Sequence, residues 1–115
     1  MPLYTADGSI DPHTLKRVPE QFLVFYSSIV DGKLWCPDCV AIEELVKTTF
    51  GPDGPSALIV YVGDRSQWKS PSNIYRGEPW KLTSVPTIIK LKDGKEEARL
   101  VDDEIAPRLA AFVKE

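Results

Sequence analysis

Residues 35–39 read Trp-Cys-Pro-Asp-Cys, and their two cysteines are the only ones in a chain of 115 residues. Two intervening residues place both sulfurs within one helical turn, so a disulfide can form and break between Cys36 and Cys39. A chain with a single closely spaced pair is not built on a disulfide scaffold, and chemical use of the pair is the better interpretation. The spacing therefore predicts a thiol–disulfide redox site.

Apolar runs lie on both sides of the motif. Residues 22–26 and 57–62 are almost wholly apolar, which is typical of strands buried on both faces. Between them, from Pro37 to Phe50, apolar residues recur every three or four positions, as on one face of a helix. This order predicts a right-handed parallel βαβ unit. It places Cys36 at the carboxyl end of a strand and the start of a helix.

The remaining segments complete an α/β arrangement. Residues 87–92 and 96–101 predict two strands joined by an Asp-Gly turn. A final regular helix is expected from about Pro107. A short helix is expected near the start of the chain, with Asp11 as its N-cap. The polar segment 63–84 is expected to be irregular, with one or two helical turns.

Length and composition limit the classes of function. The length fits one domain, residues 1–115, and 43% hydrophobic with 27% charged residues is ordinary for a globular protein. The net charge of −3 argues against nucleic acid or an anionic membrane as a partner. The chain starts without the basic and apolar regions of a secretory signal, which predicts a cytoplasmic location and a resting dithiol. We expect a monomer.

The position at a helix start assigns different roles to the two sulfurs. Unpaired N–H groups and the positive end of the helix dipole favour a thiolate at Cys36, nearer the helix tip. Cys36 is therefore the predicted nucleophile, and Cys39, one turn further in, is the predicted resolving thiol. Pro37 suits the first helical position. Asp38 carries a negative charge that opposes a neighbouring thiolate and tunes the pair.

Taken together, these features resemble the thioredoxin family over essentially the whole chain. They are Trp35 before the cysteine pair, an apolar strand ahead of it, and Ser-Val-Pro-Thr at residues 84–87 before the hairpin and last helix. With Val-Gly at residues 62–63 and Trp-Lys at residues 68–69, the chain is similar to the cytosolic 14-kDa thioredoxin-related proteins. The resemblance implies a thioredoxin fold. Such a fold has a central mixed sheet, built from a βαβ unit, a β-hairpin and a helix, with helices on both faces.

The resemblance also implies an activity and a set of supporting residues. Pro86 would be a cis-proline against the sulfurs, Val85 would pair its backbone with an extended substrate, and Trp35 would shield the sulfurs and contact the partner. The implied activity is reduction of cystine, persulfides and selected protein disulfides. Electrons would come from NADPH through thioredoxin reductase, with no cofactor bound to the chain.

Two departures from ordinary thioredoxin concern the redox pair. The motif reads Cys-Pro-Asp-Cys, not Cys-Gly-Pro-Cys. Residues 23–26 contain no acid, where thioredoxin keeps a buried aspartate. The acceptor for the Cys39 proton is therefore left open among Asp38, Asp64 and a bound water.

Other classes of function share parts of this sequence pattern. Cys-Pro-x-Cys is also the motif of glutathione-dependent glutaredoxins, but no Gly-Gly pair follows the Val-Pro strand. A binding module with a redox switch and no turnover is a further alternative. A zinc site is disfavoured because zinc takes four ligands and the chain adds only His13 to the cysteine pair as a strong candidate.

Residues outside the motif have a structural interpretation. Trp68, Tyr75 and Trp80 are interpreted first as packing residues and only second as substrate contacts, because aromatic side chains mostly supply buried area. A solvated face of the hairpin is expected at Lys90, Lys92, Lys95, Glu96 and Glu97.

Overall fold

A five-stranded mixed sheet forms the centre of the protein. The computed structural model describes residues 3–5, 11–52 and 54–114. In chain order, the strands are β1 (Leu3–Thr5), β2 (Phe22–Tyr26), β3 (Ile29–Val30), β4 (Lys33–Leu34), β5 (Ala57–Tyr61), β6 (Thr87–Lys92) and β7 (Lys95–Val101). The α-helices are α1 (Pro37–Thr49), α2 (Arg65–Lys69) and α3 (Ile105–Phe112), and short 3-10 helices cover Thr14–Arg17 and Asp102–Glu104.

Strand β2 lies in the middle of the sheet, whose order is β1-β5-β2-β6-β7. β5 runs parallel to β1 and β2, whereas β6 is antiparallel to β2 and β7. Because α1 connects β2 to β5, the predicted βαβ unit is confirmed. The predicted hairpin of β6 and β7 is also confirmed, with Asp93 and Gly94 at positive φ (54° and 76°) in its turn. The small ribbon of β3 and β4 lies between β2 and α1.

Side chains of β2 alternate between two buried faces of the sheet. Phe22 contacts Phe112 of α3, with ring centroids 5.9 Å apart, on the face that α1 and α3 share. Phe25 points to the opposite face. Its ring lies 5.9 Å from Tyr75 and 6.3 Å from Trp80. Burial on both sides is what the uninterrupted apolar run predicted.

Segment 63–84 supplies the aromatic cover of the second face. Trp68, Tyr75 and Trp80 are each at most 5% exposed, so their interpretation as packing residues is confirmed. Trp80 also donates its Nε1–H to the carbonyl oxygen of Pro12 at 2.8 Å. The segment is thus joined to the chain ahead of β2.

The first and last helices differ from expectation. The side chain of Asp11 accepts the backbone N–H of His13 at 2.9 Å, so it forms a turn ahead of the 3-10 helix Thr14–Arg17 and does not cap an α-helix. Regular helix α3 begins at Ile105, two residues before Pro107, where the proline still lies in the first turn. Within the described part of the chain, no helix has the length and apolarity needed to cross a lipid bilayer.

The predicted solvated face of the hairpin is confirmed at Lys92, Lys95, Glu96 and Glu97, which are exposed, but it was wrong for Lys90. Lys90 is 9% exposed and lies on β6 directly opposite Phe22 of β2. Its ammonium group is 6.0 Å from the ring centroid of Phe22 and 5.5 Å from that of Phe112. The aromatic faces attract the charge, and the apolar stem of the lysine packs into the core.

Candidate active site

The two cysteines lie at the start of α1, next to the carboxyl end of β2. Cys36 is the N-cap of α1, with an extended backbone (φ −91°, ψ 118°), and Pro37 is the first helical residue. The carbonyl oxygen of Cys36 accepts the N–H groups of Cys39 (3.0 Å) and Val40 (3.1 Å). Cys36 therefore stands at the positive end of the helix, where a thiolate is favoured.

The two sulfurs differ in exposure and in neighbours. Cys36 is 9% exposed and Cys39 is 0% exposed, and both are free thiols. The Cys36 thiol donates a hydrogen bond to the carbonyl oxygen of Val85, with a sulfur–oxygen distance of 3.8 Å. The Val85–Pro86 peptide bond is cis. The fold thus brings the cysteine motif and the Val-Pro loop together across a separation of 49 residues.

Hydrogen bonds on both sides of Pro86 hold the Val-Pro loop. The carbonyl oxygen of Pro86 accepts the backbone N–H of Asp102 at 2.8 Å. The hydroxyl of Thr87 donates to the carbonyl oxygen of Ser84 at 2.7 Å. Pro86 itself is buried. The backbone beside Cys36 is therefore positioned by β6 and by the end of β7.

Ser27, which the sequence interpretation missed, contacts both cysteines. It directly follows β2 and is 0% exposed. Its hydroxyl oxygen accepts the backbone N–H of Cys36 at 3.1 Å. Its own backbone N–H donates to the Cys39 sulfur at 3.5 Å. The available sequence signal was a single polar residue at the end of an apolar strand, immediately ahead of the motif.

Burial dominates the electrostatics around Cys39. It raises the pKa of the Cys39 thiol well above its usual range, hydrogen bonds from Ser27 lower that pKa in part, and Cys36 raises it again. Burial also raises the pKa of the Tyr26 phenol, with further increases from Glu43 and Cys39. The phenol is therefore held in its protonated form close to the resolving sulfur.

Asp64, one candidate for the proton acceptor, belongs to a helix cap. Its carboxylate accepts the backbone N–H of Gln67 (2.9 Å) and the hydroxyl of Ser66 (2.9 Å), and its own backbone N–H donates to the Gln67 side chain (2.8 Å). These bonds, the Gln67 amide first, lower the pKa of Asp64. The arrangement is a capping box that starts α2.

Trp35 is fixed beside the motif by Gly63. The indole Nε1–H donates to the carbonyl oxygen of Gly63 at 2.8 Å, and Gly63 is also joined to Ser28 by two hydrogen bonds. The guanidinium of Arg65 lies 4.8 Å from the centroid of a Trp35 ring, a cation–π contact that was not predicted. Trp35 therefore keeps a set orientation next to Cys36, with a positive charge on its face.

Pro37 and Asp38 are the exposed residues of the motif. Asp38 lies next to Asp102, which follows β7. The pKa of Asp102 is raised first by partial burial, then by the charge of Asp38 and the charge of Asp103, and last by a hydrogen bond with Asp38. Two carboxyl groups thus face each other beside the site, and sequence reasoning did not identify the second.

An open groove of about 600 Å³ adjoins the site on the side of Ser28 and Gly63. Two exposed isoleucines line it: Ile29 is 57% exposed and Ile74 is 46% exposed. None of the predicted site residues is in its lining. The groove is therefore lined neither by Trp35 nor by the two cysteines. Among the residues that the structure describes, no group of three or more His, Cys, Asp or Glu is arranged to hold a metal ion.

Comparison with known proteins identifies the family. The model of the "thioredoxin domain-containing protein 17-like, thioredoxin domain" family matches residues 8–112. The chain belongs to this family. The thioredoxin-like membership indicated by the sequence is thereby confirmed, and so is its branch, since the 14-kDa thioredoxin-related proteins carry the name thioredoxin domain-containing protein 17.

Relatives from plants and animals are similar at the level of sequence. Thioredoxin-like protein Clot of Oryza sativa subsp. japonica is 38% identical over 91 residues, covering 71% of this chain and 66% of that protein. The Arabidopsis thaliana protein of the same name is 34% identical over 76 residues, 64% of this chain and 57% of that protein. Thioredoxin domain-containing protein 17 of Mus musculus is 38% identical over 87 residues, 73% of this chain and 68% of that protein. The match with the two plant proteins thus spans less than two thirds of their length.

Solved thioredoxin structures have the same fold. A reduced thioredoxin pre-protein from Schistosoma mansoni superposes with a TM-score of 0.66 at 19% identity, covering 99% of this chain and 97% of that one. A mutant thioredoxin from Halobacterium salinarum superposes with a TM-score of 0.63 at 16% identity, covering 97% and 88%. The predicted α/β thioredoxin fold is confirmed. Membership in the family and the adjacent cysteines Cys36 and Cys39 together support thiol–disulfide oxidoreductase chemistry in general.

Proposed function

We propose that this protein is a disulfide reductase in which Cys36 attacks the substrate and Cys39 releases the product. The observation that carries the proposal is the unequal exposure of the two thiols. Cys36 is 9% exposed at the tip of α1, while Cys39 is 0% exposed one turn behind it. An incoming disulfide meets the first sulfur and not the second, so attack and resolution are assigned to different residues.

The reaction consists of two exchanges. The Cys36 thiolate attacks one sulfur of a substrate disulfide, the substrate's sulfur–sulfur bond breaks, and the first product leaves as a thiolate that takes up a proton. Cys39 then attacks the Cys36 sulfur of the mixed disulfide, and the second product leaves with the proton that Cys39 gives up. Two electrons pass to the substrate, and Cys36 and Cys39 end as a disulfide.

The neighbouring residues suit an extended substrate. The Val85 carbonyl oxygen lies 3.8 Å from the Cys36 sulfur, so its backbone is next to any group attached there. Trp35, whose indole is hydrogen-bonded to Gly63, directly precedes Cys36 in the sequence. We assign substrate contact to Val85, Pro86 and Trp35, and tuning of the pair to Pro37 and Asp38.

We extend the proposal to substrates, electron source and setting. The substrates are small disulfides such as cystine, persulfides and selected protein disulfides. Electrons come from NADPH through thioredoxin reductase, and no cofactor is bound. The protein works as a cytoplasmic monomer without nucleic acid or membrane partners. The support for these assignments is the family resemblance and the net charge of −3.

Consumption of NADPH in the presence of thioredoxin reductase tests the proposal. We expect turnover with cystine and with a protein disulfide such as insulin, and its loss in Cys36→Ser. Turnover with glutathione and glutathione reductase, but none with thioredoxin reductase, would establish the glutaredoxin alternative. Disulfide capture of partners without multiple turnover from either source would establish the redox-switched binding module.

A further inference from the structure

Release of the product requires Cys39 to lose a proton in an apolar site. Its sulfur is 0% exposed, and burial raises the pKa of the thiol. The strand ahead of the motif contains no carboxylate to take the proton: Phe25 packs on the opposite face against Tyr75 and Trp80. Some other group must therefore stabilise the ionised form of this buried thiol.

Neither the thiol of Cys36 nor the phenols of Tyr26 and Tyr61 fill this role. Cys36 is consumed in the mixed disulfide. Burial and the charge of Glu43 raise the pKa of Tyr26. The same two causes, in the same order, raise the pKa of Tyr61. Both phenols therefore remain protonated at neutral pH, and neither serves as a base.

Ser27 directs its polar groups toward the resolving sulfur. Its backbone N–H donates to the Cys39 sulfur at 3.5 Å, and its hydroxyl is among the groups that lower the pKa of the Cys39 thiol. One lone pair of the same hydroxyl accepts the Cys36 backbone N–H at 3.1 Å. A serine hydroxyl has one proton and two lone pairs. With a lone pair on Cys36, the single proton is available to Cys39.

We propose that Ser27 is a catalytic residue of the resolving step: its N–H and O–H stabilise the Cys39 thiolate that attacks the mixed disulfide. Hydrogen bonds to an ionised sulfur are stronger than those to the neutral thiol, so they favour the reactive form. The hydroxyl gives up no proton of its own. The Cys39 proton leaves with the second product, and the balance of the proposed reaction is unchanged.

This assignment rests on the proposed two-step exchange, and a chromogenic disulfide separates its two steps. Dithiobis(nitrobenzoate) releases one coloured thiolate when Cys36 attacks and a second when Cys39 resolves the mixed disulfide. In Ser27→Ala, we expect the second phase to slow about tenfold at pH 7, because one charge-assisted hydrogen bond is lost. Its pH profile should move upward by about one unit. The first phase should change by less than about threefold.

Two variants serve as controls. Ser27→Thr retains the hydroxyl and should restore the second phase. Ser56 directly precedes β5, far from the cysteines, and its hydroxyl accepts the Gln21 backbone N–H at 3.1 Å. Ser56→Ala removes this hydroxyl and should leave both phases as in the parent protein. A purely structural role for Ser27 would slow both phases together without moving the pH profile, and that result would overturn the proposal.

A measurement on the unsubstituted reduced protein covers the case in which Ser27→Ala does not fold. The amide proton resonance of Ser27 should shift as Cys39 titrates, because the two groups are hydrogen-bonded. A resonance that stays constant through that titration would contradict the proposal. The chromogenic assay needs neither cystine nor thioredoxin reductase. Failure of the proposed function would therefore show in the NADPH assay, and failure of the Ser27 assignment in the chromogenic assay.

Discussion

At the scale of single residues, the site depends on how deeply each sulfur is buried. Cys36 and Cys39 are three positions apart, yet only the first has any exposed surface. The difference arises because an N-cap residue projects from the end of a helix, while the residue one turn later faces the sheet. Substitution of either sulfur should therefore have a different outcome.

The first prediction concerns Cys39→Ser. Without a resolving thiol, the mixed disulfide on Cys36 cannot be displaced from within. Multiple turnover should be lost, and covalent complexes with substrate proteins should accumulate. These appear as bands on a non-reducing gel that a reductant removes. Cys36→Ser is the matched control and should trap none. Equal trapping by both variants would mean that the roles are not divided as proposed.

The second prediction concerns Asp102, which faces Asp38 beside the site. Burial and the neighbouring acids raise the pKa of Asp102, so ionising this carboxyl costs stability in the folded protein. The cost is absent below the pKa of the carboxyl in the unfolded state, about 3.9. It grows as pH rises through the pKa in the folded state, and it is complete at pH 7. Asp102→Asn should therefore stabilise the protein at pH 7 by about 0.5 kcal/mol, a gain limited by solvent screening.

Thermal unfolding at two pH values checks this outcome. The gain from Asp102→Asn should be present at pH 7 and shrink as the pH approaches 4. Asp102 has a left-handed backbone (φ 53°), which asparagine also tolerates. Asp93→Asn, at φ 54° in the β6–β7 turn, measures the backbone preference of asparagine alone. An equal gain at both pH values would argue against repulsion between the carboxyl groups.

At the scale of elements, the connection after β5 determines how Trp35 is held. Gly63 has φ +114°, and a Cβ at this position would lie 2.8 Å from the Gln67 Cβ of α2. The glycine therefore allows the end of β5 to approach α2 closely while its carbonyl oxygen accepts the Trp35 indole. A side chain here forces either the backbone or α2 to move.

The third prediction is that Gly63→Ala lowers the free energy of unfolding by about 2 kcal/mol, from backbone strain and the contact with Gln67. The urea midpoint at constant slope measures the change. Gly77→Ala is the matched control, because no atom lies within 4 Å of its added Cβ and its φ is not in the left-handed range. It should stay within about 0.5 kcal/mol of the parent protein. A similar loss in both variants would remove the special role of Gly63.

At the scale of the whole molecule, an aromatic layer joins distant parts of the chain on the face opposite α1. Trp80 of segment 63–84 packs on Phe25 of β2 and donates to the Pro12 carbonyl oxygen. One side chain thus connects the strand at the centre of the sheet with the segment that precedes it. The strand on which this layer packs contains no acid.

The fourth prediction is that Trp80→Phe lowers the free energy of unfolding by about 3 kcal/mol. The change removes buried area and leaves the Pro12 carbonyl oxygen without its donor. Urea unfolding measures the loss, with Ile74→Ser, which alters a 46% exposed side chain, as the near-neutral control. The rate of disulfide reduction per folded molecule should stay within about twofold, since Trp80 lies away from the cysteines. A large loss of rate with stability unchanged would indicate a substrate contact instead.

The sequence predicted the parts of the fold and site that depend on neighbouring residues. The apolar runs of β2 and β5 are dense enough to specify strands. The spacing of Cys36 and Cys39 indicates a redox pair without knowledge of the fold. The contributions of Ser27, Arg65 and Asp102 to the site could not be found this way. Each is a single polar residue that a different part of the fold brings to the cysteines.

Exposure was the least predictable property where a side chain has mixed character. Lys90 is charged and lies between apolar residues, so the sequence predicted that its side chain is exposed to solvent. Its neighbours Phe22 and Phe112 are far apart in the chain, and only the completed sheet and α3 form the aromatic pocket that accepts its ammonium group. Asp11 likewise has the side chain of a helix cap, but its bond to His13 closes a turn first.

The half-buried position of Trp35 gives the protein a built-in optical reporter. Trp68 and Trp80 are 5% and 2% exposed, whereas Trp35 borders Cys36 and shares its surroundings with Arg65. A disulfide next to an indole quenches its fluorescence, so emission should rise when the Cys36–Cys39 pair is reduced. Trp35→Phe should abolish that change, and its persistence would point to another tryptophan. The redox state of this protein can therefore be followed by its intrinsic tryptophan fluorescence, without a label.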